Sequence, residues 1–166
     1  MAMLTLTDDE KVEVRLQVGA WVTSTMLTDA MITAGTVLGT ASDYVFEKVR
    51  EGMNLEALTS AERLIAERFA DETDDDIANF INTVLKPPQR QQMRRAVVFY
   101  SAGLCVPLVA RVLREGAAGI DTERTILRTQ SELFTLADAE INRLREAFPD
   151  DAFKKPTSDY NLFAIS

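Results

Sequence analysis

Residues 88–115 read PQRQQMRRAVVFYSAGLCVPLVARVLRE, and this stretch decides the fold. It opens polar and basic, with Arg90, Arg94 and Arg95, and from Ala96 to Ala110 it is apolar except at Ser101, Gly103 and Pro107. Proline is well tolerated in a first helical turn, so Pro88 suits a helix start. One long helix to about Glu115 is predicted, at the centre of the fold, with Phe99, Leu104, Val106, Leu108 and Val109 in the core. Its apolar part falls short of the ~20 residues that a bilayer crossing needs, so a core helix is expected and no membrane partner. The Pro107 ring crowds the carbonyl of Gly103, which predicts a kink where the backbone yields most easily.

Helix signals recur on both sides of this stretch, and strand signals are scarce. Upstream, Pro87-Pro88 stop a helix whose stripe, Ile77, Phe80, Ile81, Val84 and Leu85, recurs at threes and fours. Thr59-x-x-Glu62 is a capping box for a short helix through Leu64, Ile65 and Phe69. Thr28-Asp29 open a helix that carries Met31, Ile32, Val37 and Leu38 past Gly35 and Gly39 to Tyr44, Val45 and Val49, stopping at Gly52. Its small residues, Ala34, Gly35, Gly39 and Ala41, suit a place where another backbone comes close. At the beginning, Thr7-x-x-Glu10 caps a helix from Asp8 to Gly19 with Val12, Leu16 and Val18 as its apolar positions.

Downstream, Gly116 and Gly119 mark a break, and Asp121 or Thr122 caps the last helix. Ile120, Leu127, Phe134, Ile141 and Phe148 recur at sevens with Ala137 and Leu144 between them. That narrow seam suits either one side of a bundle or an intermolecular coiled coil. Its ~28 residues would span ~42 Å, and the polar Gln130 and Ser131 interrupt it. The expected fold is all-α: a small helical bundle over residues 1–148 with a long C-terminal helix, then an extended C-terminal tail over 149–166.

The chemistry available is narrow. There is no histidine, the residue that acid–base and nucleophilic sites use most often. The single Cys105 sits in an apolar run, so neither a zinc site nor a disulfide framework is expected. Glycine-rich phosphate loops are absent. The densest carboxylate group, Asp71, Glu72, Asp74, Asp75 and Asp76, lacks the alternating ligands, glycine and closing Glu of a calcium loop. It is better placed as a charged lead into a helix N-terminus. No enzyme activity, no metal and no cofactor are expected.

Net charge is −8, and residues 1–86 hold 16 acidic against 7 basic residues. Such a chain is poorly suited to gripping nucleic acid, so the Arg90, Arg94, Arg95 cluster is expected as the solvated start of a buried helix. The N-terminal residues lack the basic and long apolar stretches of a signal peptide, so a cytoplasmic protein is expected.

The tail ends in Phe153, Tyr160, Leu162, Phe163 and Ile165, a set unusual for a free terminus. Burying four such side chains would stabilise a docked state by ~6–10 kcal/mol before ordering costs. Pro156 opposes helix, so these five residues are expected to act as an extended docking arm, with folding back on the chain's own bundle as the other outcome.

Three stretches together resemble the head-to-tail adaptor (connector) proteins of long-tailed bacteriophages. They are Val22 to Ile32 with Ala41-Ser42-Asp43-Tyr44-Val45, the basic-then-apolar run Gln92 to Pro107, and the long last helix with its apolar tail. The resemblance implies a structural virion protein: a homo-oligomeric ring, usually of about twelve copies, that joins the portal protein to a stopper or tail-completion protein. Genomic DNA would pass through it without specific binding, and the C-terminal segment would dock onto the portal. The implied location is the virion neck, after assembly in the host cytoplasm. The alternative is a helical ligand-binding or regulatory domain with a pocket near Pro107, lined by Met93, Phe99, Tyr100 and Leu104.

Overall fold

The computed structural model describes residues 3–53, 58–68, 74–115 and 120–147. Its elements are α1 (Asp8–Val18), α2 (Asp29–Ile32), a π-helical turn (Gly35–Gly39), α3 (Thr40–Glu51), α4 (Ser60–Arg68), α5 (Asp74–Thr83), α6 (Pro87–Glu115) and α7 (Ile120–Ala147). The fold is all-α, with no strand among the described residues. Residues 148–166, where a docking arm was expected, lie outside them.

The two capping boxes are formed. At α1 the Thr7 N–H donates to Glu10 Oε2 at 2.9 Å, and the Glu10 N–H to Thr7 Oγ1 at 3.2 Å. Thr59 and Glu62 repeat the exchange at α4, at 3.3 and 3.2 Å. Each box satisfies two donors that a helix start otherwise leaves without partners.

Helix α6 is the central element. Met93, Ala96, Val97, Ala102, Cys105, Val106 and Val109 are closed off from solvent, and Phe99 is buried. By length and composition Pro87–Leu113 is long and apolar enough to cross a bilayer, but most of it is covered by the rest of the bundle. Leu104 and Leu108 depart from the expectation and are only half-buried. Met93, Val97, Cys105 and Val109 are buried, and Leu104 and Leu108 each sit about 100° round the helix from the buried residue that follows them.

Helix α7 lies antiparallel on α6, because Gln130 and Phe134 meet Gly103, Phe134 meets Tyr100, and Glu140 meets Arg95. Leu133, Ala137, Ile141 and Leu144 are its buried face. The described part of the heptad seam therefore packs within the chain, as one side of the bundle. Gly103 is a point of close approach. A Cβ built there would stand 2.5 Å from a carbon of the Phe134 ring. Gln130, which looked like an interruption of the seam, donates from Nε2 to the Gly103 carbonyl at 3.0 Å. Pro107 has no N–H to give that carbonyl, so the side chain supplies the hydrogen bond that the helix cannot.

Between α2 and α3 the chain departs from the single helix that the sequence suggested. It leaves the helix at Thr33, whose hydroxyl donates to the Asp29 carbonyl at 2.8 Å. Ala34 is extended (φ −61°, ψ 148°), and the chain re-enters through the π turn. Threonine and glycine at positions 33, 35, 36 and 39 hold a helix weakly, and a side-chain hydrogen bond to the backbone competes with its ladder.

Ahead of α1, residues 3–7 are neither helix nor strand, and Leu4 and Leu6 enter the core. The Leu4 N–H donates to the Oγ of the wholly buried Ser42 at 3.1 Å, beside Ala41. At Gly35 an added Cβ would meet open space, so the close approach expected at these small residues is not made there.

A Gly103→Ala substitution tests the α6–α7 contact. The Phe134 ring is backed by Tyr100 at 4.6 Å between centroids and has little room to retreat. Overpacking should destabilise the fold by about 1–3 kcal/mol, read as a lower thermal melting temperature.

Candidate functional site

The basic cluster at the start of α6 is engaged inside the fold. Arg90 donates to the carbonyls of Ile81 (2.8 Å), Leu85 (3.0 Å) and Asn82 (2.7 Å), closing the C-terminal end of α5. Arg94 grips the Glu10 carboxylate through two nitrogens, at 2.6 and 2.8 Å, and reaches the Thr5 carbonyl at 2.7 Å. Glu10 thus caps α1 and ties it to α6 at once, a paired geometry that arginine is suited to make. Arg95 lies over the Phe99 ring at 5.8 Å and approaches Glu140 at 3.5 Å, with half its side chain still in water.

These ties fix α1 with a cleft beside it. The cleft holds about 270 Å³ between Glu10, Glu13 and Gln17 of α1 and Gln91, Arg94, Arg95, Val98 and Phe99 of α6. A smaller one of about 180 Å³ separates Met3–Thr5 from Ile77, Ala78, Ile81 and Asn82 of α5.

Of the three apolar positions expected on α1, Val18 is buried, and Val12 and Leu16 are not. Val14 and Val18 are buried, whereas Val12 and Leu16 are 50% and 52% exposed. At 100° per residue Val12 and Leu16 point nearly opposite to Val14 and Val18. Helix α1 therefore carries two apolar faces, and one has no partner within the described chain. The outer stripe continues to Gly19, seven residues after Val12, where Trp21 folds its indole over the backbone. A Cβ at Gly19 would stand 2.7 Å from Trp21 Nε1. Trp21 is itself 46% exposed. Sequence reasoning passed over it, although a lone tryptophan two residues after a glycine and ahead of Val22-Thr23-Ser24-Thr25 was a usable signal.

On the other side of α6 an aromatic stack joins three helices. Tyr44 of α3 lies on Tyr100 of α6 at 4.3 Å, and Tyr100 on Phe134 of α7 at 4.6 Å. The Tyr44 hydroxyl donates to Asp138 Oδ1 at 2.6 Å. That carboxylate, helped by partial burial, pushes the Tyr44 hydroxyl up to about 12. Burial first, then Asp138, also raises Tyr100. Burial pushes the Cys105 thiol up to about 12, so it stays protonated and unreactive at neutral pH.

Several expected positions are dispersed by the fold. Of Met93, Phe99, Tyr100 and Leu104, proposed to share a pocket near Pro107, Phe99 lines the α1–α6 cleft, Met93 is wholly buried and Tyr100 is taken up by the stack. Asp74 begins α5, as a charged lead into a helix should, while Asp71 and Glu72 lie outside the described residues. Among the described residues no three His, Cys, Asp or Glu side chains gather as metal ligands. Phe153, Tyr160, Leu162, Phe163 and Ile165 also lie outside them. Comparison with protein-family models, with curated proteins and with solved structures found no match to this chain.

The Tyr44–Asp138 bond has a pH signature. The protonated tyrosine is favoured in the folded state, so its contribution is complete below the ordinary tyrosine value of about 10 and is lost as pH rises toward 12. Melting temperatures of wild type and Tyr44→Phe should converge across that interval, and the gap between them should be constant from pH 7 to 9.

Proposed function

We propose that this chain is a structural subunit of a multi-chain assembly, a head-to-tail adaptor ring that joins a portal to a stopper or tail and lets DNA through its channel. One observation carries the proposal: α1 has a second apolar face, Val12, Leu16 and the covering Trp21, turned away from its own core. Large side chains half-exposed in a line mark a contact surface, and tryptophan is the residue most enriched where binding energy concentrates.

Charge supports the same role. Two of the three arginines at the start of α6 are committed to internal partners, which leaves less positive charge there for a phosphate backbone. A net charge of −8 favours a wall along which DNA slides without sticking. The wall would be a homo-oligomer in the virion neck, assembled in the host cytoplasm, with the C-terminal arm at Phe153, Tyr160, Leu162, Phe163 and Ile165 holding the portal. Structural duty of this kind asks for no catalysis and no cofactor.

Truncation after Asp151 tests the arm. The truncated protein should keep its helical circular dichroism and melting temperature while failing to co-sediment with the portal. In micrographs the full chain should form rings on the portal, and the truncated chain should leave it bare. Normal attachment of a folded truncate would refute the arm, and loss of the fold would show that the tail packs on its own bundle.

A further inference from the structure

The open face of α1 lies within reach of the chain's own C-terminal end, and we infer that residues 160–165 cover it until the portal takes them. The inference rests on the docking arm proposed above and names where that arm lies beforehand.

Position comes first. Consecutive arginines of α6 hold α1 and α7: Arg94 binds Glu10, and Arg95 approaches Glu140 at 3.5 Å. The first turn of α1 and the later part of α7 therefore flank one turn of α6, and the two helices touch. Helix α7 ends at Ala147, about 10 Å beyond Glu140, and nineteen residues follow it. The chain beyond α7 thus starts close to α1.

Length selects the residues. To cover the outer face, the chain must return along those ~10 Å and advance about 9 Å from the level of Glu10 to that of Leu16. It must also pass half-way round a helix about 11 Å across, which makes the whole path about 35–40 Å. A chain spans at most about 3.3–3.6 Å per residue, so Phe153, six residues after Ala147, reaches ~20 Å and falls short. Tyr160, thirteen residues after Ala147, reaches ~43–47 Å, and Leu162, Phe163 and Ile165 reach further.

Chemistry agrees with length. Val12, Leu16 and Trp21 are each about half exposed and carry no charge. Residues 160–165 are likewise uncharged and bring two aromatic and two large aliphatic side chains, whose apolar surface leaves water on contact. An occupant tied to the same chain has an effective concentration of order millimolar, so at micromolar protein it takes the face ahead of a second copy.

The consequence is control of assembly. The face that the next copy needs is the face that the tail covers, so it opens when the portal draws the tail away. Rings then form on the portal and not free in solution. A contact at the end of so long a tether opens well below the temperature at which the bundle melts, so the melting temperature does not report it.

Trp21 is the only tryptophan in the chain, so its emission reports the cover. Where sedimentation shows single copies, the full chain should emit at shorter wavelength than the chain truncated after Asp151. Leu162→Ser combined with Phe163→Ser should move the emission to that of the truncate. Leu16→Cys and Phe163→Cys in one chain should form a disulfide within single copies under mild oxidation, the natural Cys105 being buried. The truncate should self-associate at a concentration at least tenfold lower than the full chain needs. Equal emission from single copies of the two, a blue shift that appears only as copies associate, or a full chain that associates as readily as the truncate would overturn the cover. Any of these, with a truncate that still fails to bind the portal, overturns the cover and leaves the adaptor standing. A cover that forms as described in a chain that never binds the portal would keep the contact and remove the adaptor.

Discussion

The meeting of Gly103 with Phe134 and Gln130 is the constraint on which the rest of the bundle depends. Pro107 denies the Gly103 carbonyl its usual donor, and the Gln130 side chain replaces it from the neighbouring helix at 3.0 Å. The missing Cβ at Gly103 lets the Phe134 ring lie against the backbone. One residue thus receives a hydrogen bond and a ring from α7 at once, and this sets the register of the two longest helices. The rest follows in both directions along them. Tyr100 and Tyr44 stack outward from Phe134 and bring in α3, and Glu140 falls beside Arg95.

With α6 placed, α1 is placed too. Arg94 holds Glu10 by a two-point ion pair and the Thr5 carbonyl by a third bond, while Leu4 and Leu6 anchor the segment ahead of the helix in the core. Val14 and Val18 complete that attachment. Val12 and Leu16 are left pointing out because a helix with valines at 12, 14 and 18 and leucine at 16 cannot turn all four toward one neighbour. The proposed role in a larger assembly rests on their exposure together with that of Trp21.

Much of this was legible in the residues. The capping boxes at Thr7 and Thr59 formed because their chemistry is local and needs no tertiary partner. The long helices at either side of Gly116 and Gly119 were readable from apolar runs and spacing. What stayed hidden depended on distant partners. Nothing local to Gln130 indicates that it serves a carbonyl near residue 107, and nothing local to α1 says which of its two apolar pairs faces in. The break at Thr33 and Ala34 was hidden for another reason: the pattern of Met31, Ile32, Val37 and Leu38 continues across it, while weak helix formers let the backbone depart. Leu104 and Leu108 were placed in the core by hydrophobicity, which does not say which of two adjacent apolar residues the neighbouring helices cover, and Cys105 and Val109 are the ones covered.

The account turns on Gln130 standing in for the N–H that Pro107 lacks, and a double-mutant cycle measures this directly. Gln130→Leu in the natural background leaves the Gly103 carbonyl without its donor and should cost about 1–3 kcal/mol in denaturant unfolding. In a Pro107→Ala background the restored N–H can serve that carbonyl, and the same substitution should cost less than half as much. Equal costs in the two backgrounds would contradict the account.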